Sequence, residues 1–106
     1  MLHTVNKAWV TIIAKQLKAG TIKNALFAVA DSYEAYDVYQ WIINVFGTPI
    51  DGDHYRPYYI YTEDIIRSYM NTKGSNMPVF DTVLVSENIH DPIMKNYLSQ
   101  HFRRKR

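Results

Sequence analysis

The carboxylates between positions 51 and 64 are the first place in this chain to look for chemistry. Asp51, Asp53, Glu63 and Asp64 are hard oxygen donors of the kind that hold Mg²⁺ in a metal-dependent nuclease. No lysine lies near them and no E-x-K follows, while Glu63 and Asp64 already suit the positive end of a helix dipole. Asp51-Gly52-Asp53 resembles the start of a calcium loop. However, Arg56 stands where that loop needs glycine, and Thr62 stands where it needs a bidentate Glu. A polar turn accounts for the stretch. His3, His54, His90 and His101 show no paired ligand spacing. His54 beside Asp53 and His90 beside Asp91 could orient an imidazole, but adjacent polar residues in loops are ordinary surface. No serine sits in a nucleophile elbow. Gly20, Gly47, Gly52 and Gly74 each fall at a turn or helix end, leaving none for a phosphate-cradling loop. The sequence therefore assigns no catalytic residue, metal site or cofactor. A nuclease built on Asp51, Asp53 and Asp64 is the residual enzymatic reading.

The tyrosines carry a different signal. Of nine in 106 residues, Tyr33, Tyr36, Tyr39, Tyr55, Tyr58, Tyr59 and Tyr61 crowd into one third of the chain. That third is acidic: Asp31, Glu34, Asp37, Asp51, Asp53, Glu63 and Asp64 face Arg56 alone. Tyrosine offers large area at low entropic cost with a polar tip, which suits a protein interface. Tyr33, Glu34, Tyr36, Asp37, Asp51, Asp53 and Tyr55 are thus expected to dock on a basic partner, including one that normally holds nucleic acid. A cysteine-free domain with no catalytic constellation resembles, in type only, the small phage proteins that inhibit host nucleic-acid-handling or defence complexes.

The net charge of +2 hides a segregation. Residues 1–24 carry Lys7, Lys15, Lys18 and Lys23 with no acid, and the chain closes on Arg103, Arg104, Lys105 and Arg106. The alternative function follows from these residues. A small nucleic-acid-binding domain would use Lys15, Lys18, Lys23 and the basic tail on phosphate. The absence of cysteine fits a reducing compartment, and no apolar run reaches the length of a membrane span. The expectation is a cytoplasmic protein with no membrane partner, and a homodimer is left open.

These residues must be positioned by one domain, expected over residues 1–102 with 103–106 as a tail. Its centre is Thr21 to Gly47. Ile22 to Ala30 reads as a well-covered strand, and Asp31 with Glu34 reads as a capping box. Ala35, Val38, Tyr39, Ile42, Val45 and Phe46 form a helical stripe that Gly47 and Pro49 stop. Residues 7–18 are ambiguous. Their Val-Thr-Ile-Ile run favours a strand turned back at Ala19-Gly20, whereas Ala8, Trp9, Ile12, Ile13 and Leu17 would suit a helix. Downstream come a strand at Tyr58–Tyr61, a helix capped by Thr62 and ended by Lys73-Gly74, and a strand at Val79–Ser86. Last is a helix begun by Asp91-Pro92, with a stripe of Ile93, Met94, Tyr97, Leu98, His101 and Phe102. The expected fold is α+β in the order ββαβαβα. It has a mixed or antiparallel sheet of three or four strands and three helices mainly on one face. The alternative is αβαβαβα around a three-stranded parallel sheet.

Overall fold

The computed structural model describes residues 3–47, 57–72 and 77–102. The order is β1 (His3–Thr4), α1 (Lys7–Ala19), β2 (Ala25–Val29), α2 (Ser32–Phe46), β3 (Tyr58–Thr62), α3 (Glu63–Asn71), β4 (Thr82–Val85) and α4 (Pro92–Ser99). The strands form one sheet in the order β1-β4-β2-β3. The expected mixture of helices with a small sheet of three or four strands is what the chain adopts. Three of the finer expectations are corrected. The described elements run βαβαβαβα with four helices, in place of ββαβαβα with three. The sheet is parallel throughout, and the helices lie on both of its faces.

All three corrections come from residues 7–18, which form a helix and not the first arm of a hairpin. Asn6 is the start signal that the β-branched run outweighs in the sequence. Its Oδ1 accepts a hydrogen bond from the Trp9 amide at 2.8 Å, the arrangement of an N-cap. Gly20 ends the helix in the left-handed region at φ 82°, which favours glycine. A β-branched residue in a helix costs a few tenths of a kcal/mol, whereas burying a Val, Ile or Leu side chain gains about 1.5–3 kcal/mol. Val10, Ile13, Ala14 and Leu17 are buried at helical spacing, so burial decides the conformation. The buried stripe is also not the expected one, because Ala8, Trp9 and Ile12 are exposed. A helix between successive strands returns the chain to the same end of the sheet, which makes every pair parallel.

The face that carries α1 and α2 packs Val10, Ile13, Val38 and Ile42 on Phe27 and Leu84. The other face packs Ile66 of α3 and Met94 and Leu98 of α4 on Leu26 and Val83. Alternate residues of β2 feed the two cores, and all five are buried. The step from β2 to β3 and the return to β4 run in opposite senses, with their helices on opposite faces. The two crossovers therefore share one hand, as expected for parallel units.

Other boundaries shift modestly. The central helix starts and stops as expected, with Asp31 Oδ1 accepting from the Glu34 amide and Gly47 at φ 87°. Thr62 precedes α3 but makes no side-chain cap. That helix ends at Asn71, while Lys73 and Gly74 lie outside the described residues. Asp91 caps α4 through the amides of Ile93 and Met94, with Pro92 in the first turn. Ile93 leaves the expected stripe and is 71 % exposed. His101 and Phe102 lie beyond the helix, where Phe102 bridges in parallel to Phe80.

Candidate functional site

In a parallel sheet, adjacent strands whose following helices lie on opposite faces open a crevice at their carboxyl ends. Here β2 leads to α2 on one face and β4 leads to α4 on the other. The carboxylate of Glu34 fills the place between them. Its Oε1 accepts from the Ala30 amide at 2.7 Å. Its Oε2 accepts from the Ser86 hydroxyl at 2.7 Å and from Asn88 Nδ2 at 3.3 Å. The Ser86 Oγ in turn accepts from the Asn88 amide, and Ser86 is 1 % exposed. Glu34 thus reaches back to the residue before its cap rather than to the cap itself. The carboxylate is a strut between β2, α2 and β4, and Ser86 is too enclosed to meet a substrate.

The remaining chemistry-bearing residues are dispersed. Among the described residues no group of three or more His, Asp or Glu side chains is placed to hold a metal. Asp51, Asp53, His54 and Tyr55 lie outside the described residues. Glu63 pairs with Arg67 at 3.2 Å, one turn along α3, and Asp64 is exposed. Asp91 is engaged as a cap while His90 is exposed. His3 stacks on Trp9 with ring centroids 4.2 Å apart. His101 donates from Nδ1 to the Tyr97 carbonyl at 2.9 Å.

Of the expected acidic, tyrosine-rich docking residues, Tyr33, Tyr36 and Asp37 share the outer surface of α2. Tyr33 is 84 % exposed and Tyr36 is 63 % exposed. Glu34 turns inward and leaves that surface. Tyr59 and Tyr61 of β3 form a separate group, in which Tyr61 stacks on Tyr69 of α3 and Tyr59 meets Phe80 edge-on, while Tyr58 packs on the opposite face beside Phe46. Burial, reinforced by the Tyr69 hydroxyl, pushes the ionisation of Tyr61 above the ordinary tyrosine range.

The basic residues converge more closely. Lys7, Thr11, Lys15, Lys18 and Ala19 of α1 face Trp41, Asn44 and Val45 of α2 across a groove of about 610 Å³. Lys18 Nζ donates to the Val45 carbonyl at 3.2 Å, near the negative end of the α2 dipole. The side chains of Lys7 and Lys15 make no hydrogen bond or ion pair to a described residue. Lys15 and Lys18 were among the expected phosphate-binding residues, whereas Lys7 and Trp41 were not. Their signal is the 7, 11, 15, 18 spacing, which forms one face only if the segment is a helix. Lys23 lies past the groove, its amide donating to Asp81 Oδ2 at 2.9 Å. Arg103, Arg104, Lys105 and Arg106 lie outside the described residues.

No known family, curated protein or solved structure matches the chain. The chemistry of its own surfaces is therefore the guide to its partners. None of the described helices is long and apolar enough to cross a membrane.

Proposed function

We propose that this protein is a non-enzymatic binding module that holds single-stranded nucleic acid in the groove between α1 and α2. One observation carries the proposal: Lys7, Lys15 and Lys18 line the groove with Trp41, and α1 contains no acid. Lysines that neutralise phosphates release condensed counterions, and an aromatic wall offers a stacking surface that any base can use. The basic residues that follow Phe102 in the sequence would add to the same electrostatic attraction.

A gel shift with a labelled single-stranded oligonucleotide tests this. The intact protein should retard it at low salt, and three phosphate contacts predict a log–log salt slope of roughly −2. Lys7→Glu with Lys15→Glu should abolish the shift and leave the fold intact, because neither side chain supports the described structure. Trp41→Ala should weaken binding without changing the slope. No shift by the intact protein at low salt refutes the proposal.

The exposure of Tyr33 and Tyr36 favours a second reading, docking on a basic protein in the manner of a phage-type inhibitor. In that case Asp37→Lys slows association with the partner, whereas Tyr36→Ala speeds dissociation. Wild-type association and dissociation rates in a folded double variant would remove α2 from that role.

A further inference from the structure

The two walls of the α1–α2 groove are chemically different. Every cation that lines it, Lys7, Lys15 and Lys18, comes from α1. The α2 wall is Trp41, Asn44 and Val45, none of them charged. A strand held between such walls has one favourable orientation. Its phosphates run along α1, and its bases turn toward α2. Lys7 and Lys18 stand about 16 Å apart along the helix axis, at a rise of about 1.5 Å per residue. The cations are therefore spread for successive phosphates of a strand rather than gathered for those of one nucleotide. On the opposite wall Trp41 is half-buried, which holds its ring in place, and Asn44 is exposed. Residues three apart on a helix are neighbours, with Cβ atoms about 5–6 Å from each other. A base stacked on Trp41 thus presents its edge to the Asn44 amide, which offers a carbonyl acceptor beside an NH₂ donor.

We propose that the groove prefers adenine, with Trp41 stacking the base and Asn44 pairing with its edge. The inference rests on the groove being a single-strand site and names the base which that site selects. In a single strand both the Watson–Crick and the Hoogsteen edge of a base are open to side chains. Adenine carries its 6-amino donor between two acceptors, N1 and N7, so Asn44 meets a matching donor–acceptor pair on either edge. Guanine sets two acceptors, O6 and N7, side by side on its Hoogsteen edge, an arrangement that suits a cation. The cations here lie on the phosphate wall. Thymine and cytosine can also pair with an amide, but a single ring covers less of the indole than a purine does. Adenine is the base that combines the larger stacked area with a match on both edges.

Anisotropy titrations of the full chain test the preference, using labelled oligothymidylates in which separated thymidines are replaced by A, C or G. The adenine strand should bind most tightly, by roughly five- to a hundredfold over the others. Replacing each adenine by purine, which lacks the 6-amino group, should remove that advantage on the unaltered protein. Asn44→Ala should remove it too, and this variant should bind the adenine and purine strands alike. A merely structural role for Asn44 would leave the variant able to tell those two strands apart. AMP equimolar with the strand should leave the complex intact. Equal affinity for all four bases overturns the proposal while leaving the single-strand reading in place. A preference for another base overturns it, as does an adenine preference that survives in Asn44→Ala. Displacement by equimolar AMP overturns it in favour of a mononucleotide site. Binding of no strand removes the single-strand reading itself, and the proposal with it.

Discussion

Tyr61 is the described residue whose ionisation the structure most clearly alters. Its hydroxyl is partly buried and bonded to Tyr69, so the neutral form is favoured in the folded state. An acid whose folded value is raised binds more protons folded than unfolded, so stability falls as pH rises. The Tyr61 contribution is therefore whole below about pH 10, the ordinary tyrosine value, and is lost as pH climbs toward the folded one. Tyr61→Phe cannot ionise and should flatten the alkaline limb of a plot of melting temperature against pH. An alkaline limb as steep as that of the wild type would show that other groups set it. Glu34 illustrates the limit of sequence reasoning at this scale. The bond from its amide to Asp31 is legible from D-x-x-E spacing, but the bonds of its carboxylate to Ala30, Ser86 and Asn88 are not. The last two join residues 52 and 54 positions apart, and no local pattern encodes such distant neighbours.

At the scale of elements, the central strand and helix are legible because each local signal agrees with the next. Asp31, the stripe through Val38 and Ile42, and Gly47 all predict what the chain does. Residues 7–18 are harder because propensity and capping conflict, and the buried face that resolves the conflict exists only once the sheet is present. The phase of α1 gives a direct test. Ile13 is buried and Ile12 is 44 % exposed. Ile13→Ala should cost about 2–5 kcal/mol in urea melts through the cavity it leaves. Ile12→Ala should change stability by no more than about 0.5 kcal/mol, as an ordinary surface substitution does. Asn6→Ala should cost about 0.5–2 kcal/mol through the lost cap. Equal losses at Ile12 and Ile13 would contradict the buried face of α1. The groove follows the same logic. Its lysines lie in one segment, but they share a face with Trp41 only when α1 is a helix packed beside α2.

The whole molecule is organised around β2, which meets β3 on one side and β4 on the other. Each of these neighbours arrives by a long crossover. Asn24, at the entry to β2, donates from Nδ2 to the Val79 carbonyl and accepts from the Asp81 amide, 57 residues away. The central strand consequently lacks both neighbours until β3 is made and one of them until β4 is made. At about 5–20 residues per second, a translating ribosome needs roughly 3–11 seconds to pass from Asn24 to Asp81. Throughout that interval the nascent chain holds one of its most apolar segments, ALFAV, without its second neighbour. Complete burial of β2 is therefore a late event in the synthesis of this protein, and a holding chaperone would have those seconds in which to engage it.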